Sequence, residues 1–253
     1  MLGIKLGLGV NSIVRLHISE LQALITSLFS ASEQGAFYVP MPMVLGAQSL
    51  FQDSAGTVPV TADGDPVGRM LDQSGNGNHV IQTVSGNRPV YRTDGVLHWL
   101  EFNGTSTYLE TPNSIISATT VFYSAYQSLA VGGAVLGSSA ASLNGDRWIG
   151  ERSNGSYVQH FGNFLPFGSH LRDAIVRVDV ATPPDNKVII NSDAPVELSS
   201  GNQFDVRAIG ARYSDGSYFF FLSGKVFGII VVEGGQVSQD SKQYLADLAG
   251  VNL

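Results

Sequence analysis

The feature that most constrains the fold is a series of short runs rich in β-branched and aromatic residues, each bounded by Gly, Asn, Asp or Pro. The runs lie at 79–84, 97–102, 119–129, 147–151, 156–161, 174–180, 186–192, 204–211 and 217–232. Because no helical pattern separates them, a parallel sheet with crossover helices is disfavoured. Only 14% of the 253 residues are charged and 29 are Gly, which suits strands joined by tight turns. We therefore expect an all-β domain built as an antiparallel sandwich.

Three runs carry patterns that predict their place in such a sandwich. In AIVRVDV, Arg177 and Asp179 lie on the face opposite the three valines. The run FGIIVV is continuously apolar, as the central strand of a sandwich is. SYFFFL, at 217–222, is interpreted as part of the core.

Residues 1–36 differ from the rest because SELQALITSLFSASEQG predicts a helix. Ser19 is a candidate N-cap, and Gln22 stands in the capping-box position. The apolar face of this helix comprises Ile18, Leu21, Leu24, Ile25, Leu28 and Phe29. Two interpretations stay open: the helix packs on its own domain, or it is an arm for anchoring or oligomerisation.

Residues 37–46, FYVPMPMVLG, predict an extended linker, because Pro40 and Pro42 disfavour a helix. Since a Pro-rich linker holds segments apart, it favours contacts outside the chain and a symmetric homo-oligomer. A second helix is predicted at 238–249, with Ser238 as N-cap and Gly250 as its stop.

Charge and composition exclude several classes of protein. The net charge is −7 with no Lys/Arg cluster, so no nucleic-acid partner is expected. The absence of cysteine excludes disulfides and Cys-based zinc sites. The sequence contains no run of about 18 apolar residues, so no membrane span is expected. The N-terminal stretch lacks the apolar core of a signal peptide, so none is expected.

Three motifs carry a family resemblance: DQSGNGNH at 72–79, NRPVY at 87–91 and LEFNGTSTYL at 100–109. Over 47–253 the chain resembles laminin-G-like, concanavalin A-like jelly-roll domains. The stretches AGTVPVT and GDPVG ahead of the first motif resemble the form of this domain carried by tailed-bacteriophage virion proteins. The resemblance implies a virion protein assembled in the host cytoplasm, with other capsid or tail proteins as partners.

The loop LDQSGNGNHV, at 71–80, has two interpretations. Asp72 can cap a turn, and Gly75 and Gly77 can supply positive φ, so turn chemistry explains the motif. Alternatively, Asp72, Asn76 and Asn78 are oxygen ligands for calcium. One carboxylate with two amides is a thin ligand set, so we expect a structural loop, no metal and no cofactor.

No sequence pattern supports catalysis. Sandwich glucanases need paired carboxylates flanking the bond, and no strand carries an E-x-D-x-E row. G-x-S-x-G and H-E-x-x-H are also absent. We therefore expect no enzymatic activity.

Glycan binding is the chemistry that remains, and its candidate region is 144–170. This region combines rings with polar groups: Asp146, Arg147, Trp148, Tyr157, His160 and Phe164. Alternatively these rings pack in the core or at a subunit contact.

Three functions follow, in order of preference. The first is a bacteriophage virion surface component, either capsid decoration, head spike or tail fibre, with weak binding of host glycans. The second is a dedicated adhesin or lectin for host attachment. The third is a glycan hydrolase.

Overall fold

The computed structural model describes residues 10–117, 120–129, 133–138, 148–152, 157–160, 163–166, 173–181, 186–198, 204–214 and 216–253. Its helices are α1 (Val10–Phe29), α2 (Gln239–Ala249) and a 3-10 turn at Ser85–Asn87. In this described part of the chain, neither α-helix is long and apolar enough to cross a membrane.

The described strands form two large antiparallel sheets and two short ribbons. The eight-stranded inner sheet contains β1 (Gly35–Tyr38), β7 (Val90–Thr93), β8 (His98–Asn103), β10 (Thr120–Ser128), β15 (Ala174–Ala181), β16 (Asn186–Ile190), β17 (Val196–Leu198) and β21 (Ser223–Glu233). The nine-stranded outer sheet contains β4 (Leu50–Phe51), β5 (Arg69–Met70), β6 (Val80–Ile81), β9 (Leu109–Ser117), β11 (Gly133–Gly137), β12 (Trp148–Arg152), β13 (Tyr157–His160), β14 (Asn163–Pro166) and β18 (Phe204–Ile209). The ribbons are β2 (Met43–Val44) with β3 (Ala47–Gln48), and β19 (Arg212–Ser214) with β20 (Ser217–Phe219).

The two sheets pack face to face, so the predicted all-β sandwich is confirmed. The order of the inner sheet is β17-β16-β15-β10-β21-β8-β7, with β1 also paired to β21. The order of the outer sheet is β14-β13-β12-β11-β18-β9-β6-β5-β4. Side chains from both sheets fill the space between them, among them Leu100, Phe122, Ile149, Val206 and Ile229. Burial of such side chains is the main force that holds the sheets together.

The inner sheet is buried on both faces, because the helices cover the face that points away from the outer sheet. The valines of β15 pack toward the helices, together with Leu245 and Ala246 of α2. Arg177 and Asp179 therefore point between the sheets, where the guanidinium donates two hydrogen bonds of 2.8 and 2.7 Å to the carboxylate. A third bond, of 2.8 Å, reaches the carbonyl oxygen of Gly150 in the outer sheet. This buried ion pair ties the two sheets together.

Helix α1 differs from its predicted form. It begins at Val10, so Ser19 lies inside the helix and the prediction of an N-cap there is wrong. Leu21, Leu24 and Ile25 are buried with α2 against the inner sheet, and Leu28 and Phe29 are partly buried there. The side chain of Ile18 lies outside the described side chains. Because the chain's own sheet covers this apolar face, the physical argument for a partner outside the chain no longer holds, and assembly through α1 stays a prediction.

The segment between α1 and the sandwich differs from the expected linker. Its first residues form β1, where Gly35 pairs with Val232 and Tyr38 with Ile229. Residues 36–39 are buried. A Cβ at position 35 would overlap the carbonyl oxygen of Val231, so Gly permits this close approach. The expected boundary between residues 36 and 37 therefore cuts through a strand of the inner sheet.

The C-terminal helix has the predicted ends. Ser238 Oγ accepts a hydrogen bond of 3.2 Å from the backbone N–H of Ser241, which is N-cap geometry. Gly250 ends the helix in the left-handed conformation, with φ of 67°.

Candidate functional site

The 71–80 loop uses its polar groups to bind the backbone around it. The Oδ1 atom of Asp72 accepts bonds of 2.9 Å from the N–H groups of Phe37 and Ser74. The Oδ2 atom accepts from the Ser74 hydroxyl at 2.8 Å and from the N–H of Asn78 at 3.0 Å. The side-chain amides of Asn76 and Asn78 donate to the carbonyl oxygen of Gly35, at 3.2 and 2.7 Å. The loop thus attaches β1 to the outer sheet.

This arrangement turns the proposed calcium ligands toward protein donors and acceptors. Gly75 and Gly77 have φ of 91° and 75°, as turn chemistry predicts. The N–H of Asp72 donates to Nδ1 of His79 at 3.0 Å. Among the described residues, no group of three or more acidic or histidine side chains is placed to hold a metal ion.

The predicted glycan-binding region is described only in part. Trp148 is buried in β12, where it stacks on Phe220 with ring centroids 5.8 Å apart. Tyr157 and His160 belong to β13 and pair with Arg152 and Ile149 of β12. Phe164 belongs to β14 and pairs with Gln159. Asp146 and Arg147 lie outside the described residues.

The prediction that the run SYFFFL, at 217–222, belongs to the core is wrong. Phe219 and Phe220 are 47% and 43% exposed. Of the four apolar residues 219–222, only Leu222 is fully buried. The run leaves the sandwich as strand β20 of a hairpin with β19, before the chain re-enters the inner sheet at β21. A continuous apolar run does not reveal such an excursion.

The β19–β20 hairpin lies close to the outer sheet because Gly137 permits it. A Cβ at this position would overlap the carbonyl oxygen of Ala211 and lie 3.0 Å from the backbone nitrogen of Tyr213. The close approach brings the side chains of the hairpin against those of β9 and β18.

We name the cluster formed there the Glu110 patch; its members are Tyr108, Glu110, Arg207, Tyr213 and Tyr218. The hydroxyl of Tyr218 donates a 2.6 Å hydrogen bond to Oε2 of Glu110. Nη2 of Arg207 lies 3.9 Å from the same oxygen, and both side chains are 25% exposed. Among the described residues, none donates a hydrogen bond to Oε1, the other carboxylate oxygen of Glu110. The patch therefore presents a partly buried carboxylate, one quarter exposed, that is hydrogen-bonded from one side.

A β-bulge directs Arg207 into this patch. Val206 pairs with Ile115 and Ala208 with Glu110, so the register shifts at Arg207. Nη1 of Arg207 donates a 2.6 Å bond to the carbonyl oxygen of Thr111, which holds the guanidinium near the sheet. Bulges re-aim side chains in this way and are frequent beside functional sites.

Two further tyrosine rings pack against Tyr218, the residue that bonds the carboxylate. Tyr108 and Tyr218 stack with centroids 3.9 Å apart, and Tyr213 lies 5.0 Å from Tyr218. The guanidinium of Arg207 stands 5.6 Å above the ring of Tyr213. Burial raises the pKa of Tyr218 above its ordinary value, and the hydrogen bond to Glu110 raises it further. Tyr218 is thus a protonated donor at neutral pH.

A concavity of about 490 Å³ lies between α1 and α2, away from the Glu110 patch. Glu20, Asp240 and Asp247 line it, with Tyr244 and Leu24 also exposed to its interior. Asp247 accepts a 2.9 Å bond from Gln243. The groove holds acidic groups without the stacked rings and the guanidinium of the Glu110 patch.

Sequence reasoning missed the Glu110 patch. Glu110 follows the buried Leu109, and this alternation places it on the outer face of the sheet. That signal was available in the sequence. Its pairing with Tyr218, however, joins residues 108 positions apart, which no local pattern reveals.

Comparison with known proteins identifies similar folds. No protein-family model and no curated protein matches the chain. An arabinofuranosidase complexed with arabinofuranosyl-α-1,2-xylobiose matches with a TM-score of 0.55 and 11% identity, over 89% of this chain and 64% of that chain. A GH54 α-L-arabinofuranosidase soaked with a cyclic sulfate inhibitor gives a TM-score of 0.57 at 11% identity, with the same 89% and 64% coverage. Trypanosoma rangeli sialidase in complex with the inhibitor DANA gives 0.49 at 13% identity, over 96% of this chain and 39% of that chain. The chain therefore spans less than two thirds of the length of these proteins.

These findings contradict two expectations from the sequence. The matched arabinofuranosidases are glycan hydrolases, whereas we expected a bacteriophage virion protein or host-attachment adhesin, and no enzyme. The virion expectation rested on a few loop motifs, and the expectation of no enzyme rested on the absence of an E-x-D-x-E strand. Neither feature depends on the architecture of the whole domain. At 11% identity the likeness establishes the fold alone.

Proposed function

We propose that this protein is a glycan hydrolase that binds its substrate at the Glu110 patch. The observation that carries the proposal is the partly exposed carboxylate of Glu110, which Tyr218 holds by a hydrogen bond and which lies near Arg207. The matched arabinofuranosidase was bound to arabinofuranosyl-α-1,2-xylobiose. Arabinofuranosyl-substituted xylo-oligosaccharides are therefore the first substrates to test.

The chemistry of glycoside cleavage requires a carboxylate at this kind of position. Positive charge develops at the anomeric carbon as the glycosidic bond breaks. A carboxylate that is already oriented stabilises this charge without having to reorganise. In the proposal, Glu110 faces the anomeric carbon and the hydroxyl of Tyr218 fixes the carboxylate's orientation, with the positive charge of Arg207 nearby. Among its described members the patch contains a single carboxylate, so water supplies both the hydroxyl group that adds to the anomeric carbon and the proton that goes to the leaving glycosidic oxygen.

The rings of the patch supply the binding surface. An aromatic face offers apolar area to the C–H groups of a sugar ring, at little cost in side-chain entropy. Tyr108 and Tyr213 both pack against Tyr218, so a sugar would meet a surface that is ordered before binding.

Activity of the full chain on 4-nitrophenyl α-L-arabinofuranoside and on arabinofuranosyl-α-1,2-xylobiose tests the proposal. We expect release of arabinose, and a drop in rate of about 100-fold or more in the Glu110→Gln variant, which keeps the shape but loses the charge. Glu101→Gln is the matched control, since Glu101 is also a strand glutamate paired to an arginine, Arg92. Equal rates for wild type and Glu110→Gln would overturn the assignment.

A spectroscopic titration checks the patch independently of activity. The difference in phenolate absorbance between wild type and Tyr218→Phe should show that the Tyr218 pKa lies above the ordinary tyrosine value. Glu110→Gln should bring this pKa down, because it removes the adjacent negative charge. Since the pKa is raised in the folded state, the phenol stabilises the fold below pH about 10, and this stabilisation is lost as the pH rises above it. An unchanged pKa in Glu110→Gln would contradict the hydrogen-bonded geometry.

A further inference from the structure

We propose that Phe219 and Phe220 form a second sugar-binding surface, which holds the polysaccharide chain that continues beyond the bond at Glu110. We call it the phenylalanine platform; its members are Trp148, Arg212, Phe219 and Phe220. This inference rests on the proposed function, since it extends the same substrate from a short glycan to a polymer.

The first observation is the exposure of two adjacent large rings. Phe219 and Phe220 are 47% and 43% exposed. The backbone of Phe220 also lies in the left-handed region, with φ of 48°. A bulky side chain in this region is uncommon and energetically unfavourable. A strained backbone that presents an apolar ring to solvent indicates a surface with a ligand.

The second observation is that the rings are ordered without a ligand. Phe220 stacks on the buried ring of Trp148 at an interplanar angle of 13°. The guanidinium of Arg212 lies 5.9 Å above Phe219 and 5.6 Å above Phe220. Because both rings are held in place, binding need not immobilise them, and this favours affinity.

The third observation is that the platform and the Glu110 patch share one hairpin. In the β19–β20 hairpin, Tyr213 pairs with Tyr218 and Arg212 with Phe219. Side chains alternate between the faces of a strand, so Tyr218 points to Glu110 while Phe219 points to the other side of the ribbon. The two surfaces therefore lie on opposite faces of one two-stranded ribbon, and a glycan chain bound beside Tyr218 reaches the platform by passing around the edge of β20. The occupant we assign is a further sugar ring, which places its apolar face on a phenylalanine and its hydroxyl groups near the guanidinium.

The test compares a polymer with a short substrate, using the full chain. The probes are insoluble arabinoxylan, measured by depletion of protein from solution, and arabinofuranosyl-α-1,2-xylobiose, measured by release of arabinose. The variant is Phe219→Ala with Phe220→Gly, and the control is Val96→Ala, since Val96 is an apolar residue that is 81% exposed. We expect the variant to bind arabinoxylan about tenfold more weakly, with an unchanged rate on the short substrate.

The outcomes separate this inference from the proposed function. Polymer binding by the variant equal to that of wild type, or no polymer binding by wild type, overturns the platform. Polymer binding that depends on the platform, without release of arabinose, supports the platform and removes the hydrolase proposal. Cleavage that depends on Glu110 while the variant binds polymer normally does the reverse. A change in molecular mass of the variant by light scattering, with polymer binding intact, identifies a protein contact and overturns the inference.

Discussion

The 71–80 loop has the structural role that turn chemistry predicted, whereas the β19–β20 hairpin does not have the core position that its apolar run predicted. The loop is rich in Asp, Asn and Gly, which is also the composition of a ligand site, yet both carboxylate oxygens of Asp72 accept hydrogen bonds from protein donors. The hairpin region, with three successive phenylalanines, has the composition of a core strand, yet it exposes Phe219 and Phe220. Polar side chains are captured by nearby backbone groups that lack partners. Phe219 and Phe220 are exposed because this segment leaves the sandwich as one strand of a two-stranded ribbon.

The largest expected effect is that of Asp72→Ala. Four donors lose a charged acceptor in a site where Asp72 is only 7% exposed. We expect the free energy of unfolding to fall by about 4 kcal/mol, measured by urea denaturation. Asp94→Ala is the control, since Asp94 also accepts two backbone bonds but is exposed, and its loss should be smaller. A small loss for Asp72→Ala, together with the disappearance of a calcium-dependent rise in Tm, would restore the metal interpretation.

Next in size is the contrast between Leu222→Ala and Phe219→Ala. Leu222 is fully buried between the sheets, so its truncation should lower the free energy of unfolding by about 3 kcal/mol. Phe219 is 47% exposed, and its truncation should change stability by less than about 1 kcal/mol. Equal losses at the two positions would show that the hairpin is packed in the core after all.

A smaller effect is expected from Gly75→Ala in the loop. A Cβ at this position meets no atom within 4 Å, so the cost comes only from its φ of 91°. We expect a loss of about 1 kcal/mol in thermal or urea unfolding. Gly86→Ala is the matched control, because a Cβ there also meets nothing and no positive φ is involved. Similar stability of the two variants would contradict the left-handed turn at Gly75.

The smallest expected effect is that of Phe220→Gly. Glycine relieves the strain at φ of 48°, while the stacking on Trp148 is lost. These contributions are of similar size and opposite sign, so the net change should lie within about 1 kcal/mol. Phe219→Gly, where no strain is relieved, should be more destabilising in the same assay. If Phe220→Gly were the more destabilising of the two, the backbone at Phe220 would not be strained, and strain would no longer support the phenylalanine platform.

Local sequence predicted those elements whose cause is local. The strand runs 120–128, 174–181 and 223–233 follow from β-branched residues between turn residues. The C-terminal helix follows from a cap at Ser238 and a left-handed Gly250. The start of α1 was predicted wrongly, because Ser occurs both at N-caps and inside helices, and the local sequence does not distinguish the two positions.

The sequence by itself determined the all-β class, strands such as β10, β15 and β21, the C-terminal helix and the turn chemistry of Gly75 and Gly77, because each depends on residues a few positions apart. Only the tertiary structure decided that Arg177 and Asp179 face inward, since this requires helices to cover the far side of the inner sheet. It alone joined Glu110 to Tyr218 and exposed the phenylalanine platform. These features arise where segments distant in sequence pack together, and the strength of such contacts depends on geometry that no periodicity encodes.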